Sequence, residues 1–224
     1  MVKSETVSVT SILTGKKVLE EVNSPINGKL TVVKDLAWGV HINGGGLAQS
    51  GGVMKTVWTS TLKKLKSQRS DIKTCLILGL GGGDAARLIR KYWPDAKITG
   101  VDIDPVIVEL GRKHMNLDEA GVEIVIQDAS KYLTSNINNL ASNLDLVLVD
   151  MYVQDNVPEK FKSDKFIRDI KSLLSKDGMA IFNRLYYGDK RSEAVKFEDR
   201  LAKVFSDITI IYPEANVMFL CGNG

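Results

Sequence analysis

The run Cys75-Leu-Ile-Leu-Gly79-Leu-Gly81-Gly82-Gly83-Asp84 constrains this chain more than any other feature. A short apolar stretch with strand character leads directly into glycines, and Asp84 to Tyr92 reads as the helix that follows. A turn of this kind either folds tightly for its own sake or lets a ligand approach the main chain where a Cβ would intrude. The rhythm continues downstream. Lys97-Ile-Thr-Gly-Val, Val122-Glu-Ile-Val-Ile, Leu144-Asp-Leu-Val-Leu-Val and Met179-Ala-Ile-Phe read as further strands with helices between them. Asp104 can cap one helix with Pro105 at its first position, and Ser163 opens another. Ile208 to Tyr212 and Val217 to Cys221 predict a closing antiparallel pair. Such alternation argues for an α/β fold with a mostly parallel sheet covered on both faces.

The amino-terminal part has a different pattern. Thr6 to Ile12, Lys17 to Val22, Lys29 to Val33 and Trp38 to Ile42 read as short strands, with turns at Thr14-Gly15, Asn27-Gly28 and Asn43-Gly44. Val53, Val57, Trp58, Thr61, Leu62 and Leu65 then fall at helical spacing. The expected organisation is an antiparallel β domain at 1–50, a linking helix at 51–70 and a Rossmann-like catalytic domain at 71–224.

The bulk numbers exclude several classes. A net charge of +3 over 224 residues is too small to argue for nucleic acid. No stretch is long and apolar enough to span a bilayer, and the start Met1-Val-Lys-Ser-Glu has no apolar signal core, so a cytoplasmic location is expected. Cys75 and Cys221 sit in apolar runs and are expected to be reduced. Two histidines, His41 and His114, and two distant cysteines do not form a transition-metal cluster of familiar spacing, so no metal is expected.

The chemistry concentrates in four acids. Asp84 follows the glycines; Asp102, Asp128 and Asp150 follow the next three strands. Acids at the carboxyl ends of parallel strands arrive on one rim, where open α/β sheets bind ligands. Asp102 is placed to accept both hydroxyls of an adenosine ribose. Asp128 is either an acceptor for an adenine amino group or the cap of the helix after it. A carboxylate at Asp84 would repel a pyrophosphate or a carboxylate and attract an ammonium. Gly81-x-Gly83-x-x-Ala86 keeps a nicotinamide enzyme in view as a competitor.

These residues resemble the spermidine synthase family of aminopropyltransferases. Leu78 to Ala86 resembles its nucleotide loop, Val101-Asp-Ile-Asp-Pro its ribose-binding strand end, Gln127-Asp-Ala its adenine-binding acid and Leu146-Val-Leu-Val-Asp its catalytic strand. The resemblance implies the S-adenosylmethionine-dependent methyltransferase fold, with a mostly parallel seven-stranded sheet and a small antiparallel leading domain. It implies decarboxylated S-adenosylmethionine (or S-adenosylmethionine) as co-substrate, a small amine acceptor and 5′-methylthioadenosine as product. The amino-terminal strands leave edges able to pair between subunits, so a homodimer is expected. By the resemblance Gly79, Gly81, Gly83, Asp102, Ile103, Asp128, Ala129 and Gln49 hold the nucleoside. Asp84 takes the aminopropyl end, and Asp150 is the base.

The chain also departs from the family pattern. Trp58 and Ser60 stand where Tyr and Glu are usual, and Val153 stands where a diamine-binding acid is expected. Trp58, Tyr152 and Asp155 remain as acceptor-binding candidates. A methyltransferase on the same fold and a non-catalytic nucleotide-binding relative are the alternatives.

Overall fold

A computed structural model describes residues 15–223. Its first sheet is antiparallel, β1 (Lys16–Ser24), β2 (Gly28–Asp35), β3 (Gly39–Gly44) and β4 (Leu47–Gly51) in that order. The expected strand at Thr6 to Ile12 lies outside the described residues. The fourth strand is instead Leu47–Gly51, which the glycine-rich sequence around it hides. The expected turn at Asn43-Gly44 moves on to Gly45-Gly46, both at positive φ.

Helix α1 (Gly52–Gln68) leads into the larger sheet, built from β5 (Thr74–Leu78), β6 (Lys97–Asp102), β7 (Val122–Ile126), β8 (Leu144–Val149), β9 (Leu174–Leu185), β10 (Asp207–Ile211) and β11 (Asn216–Gly222). The order is β10-β11-β9-β8-β5-β6-β7. Strands β5 to β9 pair in parallel, and β10 and β11 return antiparallel. Helices α2 (Asp84–Tyr92), α3 (Pro105–Met115), α4 (Ala129–Leu140), α5 (Asp164–Leu173) and α6 (Lys190–Ala202) connect the strands.

Period-two alternation divides the core. Cys75 and Ile77 of β5 pack with α1, α2 and α3, whereas Leu76 and Leu78 pack with α4, α5 and α6. Both faces are covered, which is why these strands read as unbroken apolar runs. Cys75 and Cys221 are free, buried on opposite faces of the sheet. Among the described residues no helix is long and apolar enough to cross a membrane.

Two polar contacts dock the small sheet. Asp104 caps α3 by accepting from the Val106 amide at 2.9 Å, and also accepts from Ser24 at 2.5 Å and Asn27 at 2.6 Å. His114 and Lys113 of α3 meet Glu20 of β1 at 2.6 and 2.7 Å.

The order in which strands are added reverses between the parallel neighbours β5, whose connection leads to β6 on one side, and β8, whose connection leads to β9 on the other. Gly79 ends β5 at this switch point with φ +85°, and a Cβ there would collide with the Asp150 carbonyl oxygen. Gly79→Ala is therefore expected to cost at least about 3 kcal/mol, since backbone strain and overpacking add. A urea midpoint unchanged from wild type would contradict this.

Candidate functional site

A cavity of about 420 Å³ opens at the carboxyl ends of β5 to β8, beneath the edge of the small sheet. That volume suits a nucleoside-sized ligand. Its floor is the glycine loop. The amides of Gly79 and Leu80 donate to the Val101 carbonyl at 2.9 and 3.2 Å. The Gly81 amide donates to Asp102 at 2.7 Å, and the Gly82 amide to the Ser50 hydroxyl at 2.7 Å. Gly79 and Gly81 line the cavity. Gly83 is not among the lining residues; its φ of +86° and its packing against Leu117 make it a turn and packing glycine.

All four acids named from the sequence line this one cavity. Asp84 is buried, accepts from the Gly51 amide and forms an ion pair with Arg87 at 2.6 Å. Its charge is thus largely balanced within the fold. Asp102 accepts from Gly81 and, at 2.9 Å, from the Asp104 amide, and burial pushes its carboxyl up to about 6. Each of its oxygens keeps a lone pair for a ligand hydroxyl. Asp128 caps α4 through the amides of Ser130 and Lys131 and pairs with Lys160. Burial acts to raise that carboxyl, but the hydrogen bonds from Lys160, Ser130 and Lys131 prevail and hold it at about 2. The helix-cap reading of Asp128 is therefore realised, while the residue also faces the cavity.

Asp150 follows β8 and is held by two side-chain donors. Its Oδ1 accepts from Asn183 Nδ2 at 2.8 Å and its Oδ2 from the Trp58 indole at 3.1 Å. Asn216 donates to Asn183 Oδ1 at 2.8 Å, which fixes the Asn183 amide with its NH₂ toward Asp150. Burial raises the Asp150 carboxyl above the usual range; Asn183, Trp58 and the Arg184 charge oppose the rise without cancelling it. Arg184 is itself buried, with its guanidinium over the Phe197 ring at 3.8 Å.

The remaining candidates divide. Ile103 and Ala129 line the cavity beside Asp102 and Asp128. Gln49 also lines it, but its amide donates to the Gly44 and Gln154 carbonyls at 3.1 and 3.3 Å, tying the small sheet to the loop after β8. Trp58 and Tyr152 line it, and the Tyr152 hydroxyl accepts from the Leu185 amide at 2.7 Å. Asp155 is not among the lining residues. It turns outward to Lys190, at 3.4 Å, and to Asn156. Sequence reasoning missed Ser50, Lys160, Asn183 and Asn216, all of which line the cavity. The only available signal was two asparagines in otherwise apolar surroundings, at the ends of β9 and β11.

Fold and site together define a Rossmann-like α/β protein of the S-adenosylmethionine-dependent methyltransferase type, with acids gathered on the edge of its parallel strands. The Spermine/spermidine synthase domain matches residues 60–213, and the chain belongs to that family. A polyamine aminopropyltransferase of Neisseria meningitidis serogroup A is 34% identical over 138 residues, or 61% of this chain and 50% of that protein. The chain thus spans about half the length of that curated relative. The mouse eEF1A lysine and N-terminal methyltransferase is 24% identical over 155 residues, 66% of this chain and 22% of that protein. A crystal structure of spermidine synthase with the transition state analogue AdoDATO superposes with a TM-score of 0.78 at 17% identity, covering 93% of this chain and 74% of that chain.

Replacing Asp102 by Ala is expected to weaken 5′-methylthioadenosine binding about 100-fold, the value of two charge-assisted hydrogen bonds. Calorimetry on the folded variant measures it, and undiminished affinity would remove Asp102 from the nucleoside site.

Proposed function

We propose that this protein transfers the aminopropyl group of decarboxylated S-adenosylmethionine to an amine and releases 5′-methylthioadenosine. The observation that carries this reading is Asp150. It is a half-buried carboxylate at the sheet's switch point, oriented by Asn183 and Trp58, with its basicity raised by partial desolvation. The chain's membership of the spermine/spermidine synthase family supports the same reading.

The residues present fit the nucleotide. Asp102 and Asp128 stand where a ribose and an adenine amino group find acceptors, and Leu80, Ile103 and Ala129 supply apolar surface. Of the charged side chains lining the cavity, four are aspartates and one is Lys160, a balance that favours a cationic ligand. Bound there, decarboxylated S-adenosylmethionine supplies a carbon beside a sulfonium, whose C–S electron pair returns to sulfur as the amine's lone pair forms the new C–N bond. Asp150 holds the acceptor's ammonium and takes one proton from it, freeing that lone pair. Trp58 and Asn183 touch Asp150 and are positioning residues.

Methyl transfer from S-adenosylmethionine is the second reading, and one observation favours it. Arg87 balances Asp84, so the cavity wall beside the glycines repels a carboxylated ligand less than the sequence alone implied. Calorimetry comparing the two nucleotides separates the readings: tighter binding of the carboxylated form would support methyl transfer. The exposed Val18 and Leu19 on edge strand β1, with Leu36 and Trp38 exposed nearby, support a homodimer through the small sheet.

Asp150→Asn is expected to lower methylthioadenosine release by at least about 100-fold while nucleoside affinity stays within about threefold, because only the proton acceptor is lost. Turnover close to wild type would exclude Asp150 as the base. Trp58→Phe deletes a donor that holds the Asp150 carboxyl down, so the acid limb of the kcat/KM profile should move to higher pH. An acid limb that stays in place would show that the indole does not act through Asp150.

A further inference from the structure

We propose that the acceptor is a monoamine with an uncharged carbon tail, and that Trp58, Tyr152, Val153, Leu185 and Tyr187 receive that tail. The inference rests on the aminopropyl-transfer reading and names the substrate class of the same site.

The sheet divides the cavity. Its four aspartates all follow β5, β6, β7 or β8. The half over β9 and β11 is lined by Asn183, Leu185, Tyr187, Ala215 and Asn216, with no carboxylate among the described residues. Leu185 and Asn216 are register partners there, so this half has a continuous wall. Apart from the Tyr187 hydroxyl, the wall's side-chain donors are already engaged. Asn216 donates to Asn183, Asn183 donates to Asp150, and the Trp58 indole does the same. The Tyr152 hydroxyl is held by the Leu185 amide. What remains toward the cavity is largely ring and hydrocarbon surface, continued by Met54 one helical turn before Trp58.

A diamine bound with one ammonium at Asp150 would place its second ammonium against this wall. Such a charge loses hydration and gains no carboxylate partner, which is strongly unfavourable. Aromatic faces attract cations, but less than a paired acid does. The acids nearest in the fold do not line the cavity: Asp155 pairs with Lys190 at 3.4 Å, Glu193 lies between Lys190 and Lys162, and Glu214 is exposed. A carbon tail, by contrast, gains from covering the same surface.

The test measures methylthioadenosine release from decarboxylated S-adenosylmethionine with n-butylamine, phenethylamine and putrescine. At least one monoamine is expected to exceed putrescine by about tenfold or more in kcat/KM. Putrescine equal to or better than both monoamines would overturn the inference and leave aminopropyl transfer standing. No release with any amine, from protein that still binds methylthioadenosine, would overturn both. Val153→Asp places a carboxylate on the tail side and is expected to shift the putrescine-to-butylamine ratio about tenfold toward putrescine. An unchanged ratio in the folded variant would remove Val153 from the tail site. Should that variant not fold, the wild-type amine panel decides alone.

Discussion

The site depends on one close approach of main chain to main chain, Gly79 against the carbonyl of Asp150. Gly79 donates to Val101 at 2.9 Å, and the Asp150 amide donates to Leu78 at 2.9 Å, so the ends of β6, β5 and β8 meet at one point. A side chain at Gly79 would push them apart. From there the loop's own amides carry the arrangement outward. Gly81 holds Asp102, Gly82 holds Ser50, and Asp84 takes the Gly51 amide. One stretch of glycine backbone therefore orients Asp102, borders Asp150, and docks the small sheet. Side chains bulky enough to pack would have blocked each of these approaches.

The second constraint is the treatment of charge behind the floor. Asp150 is half-buried and Arg184 buried, yet no direct ion pair joins them among the described contacts. Amide and indole donors satisfy Asp150, while the guanidinium donates to the Asn183 and Phe161 carbonyls and stacks on Phe197. A tight ion pair would have driven the Asp150 carboxyl far down and made it a poor proton acceptor. Neutral donors with a more distant positive charge leave it raised by burial, where a general base toward an ammonium is useful. The Asn216–Asn183–Asp150 chain then fixes direction, since each amide can present its NH₂ only one way.

Much of the framework was legible in the sequence because it depends on local patterns. Buried strands read as apolar runs, Asp104 and Ser163 cap the helices they precede, and acids after consecutive strands reach one edge. What was illegible depends on partners distant in the chain. Asp84 looked like a free charge; its Gly51 amide donor appears only once the small sheet is docked, although the Arg87 partner three residues on in the same helix was within local reach. Asp155 looked like a substitute acid, but the loop after β8 turns it toward Lys190. Trp58 looked like a core aromatic, and it is buried; its importance lies in one indole N–H that reaches a residue 92 positions away. Asn183 and Asn216 carried no motif, because their function comes from antiparallel register between β9 and β11.

That register also explains how one family can hold different chemistries. The parallel strands β5 to β8 all end at the cavity, so each naturally delivers the residue that follows it, and the acids there form a single nucleotide-facing rim. Strand β11 runs the other way, so it begins at the cavity and contributes Ala215 and Asn216 from the turn that precedes it. Turn residues and strand starts change without disturbing the parallel ladder. The half over β5 to β8 can thus stay fixed while the half over β9 and β11 varies. On the acceptor reading proposed above, specificity would lie in the wall over β9 and β11, which Tyr152 joins by accepting from the Leu185 amide.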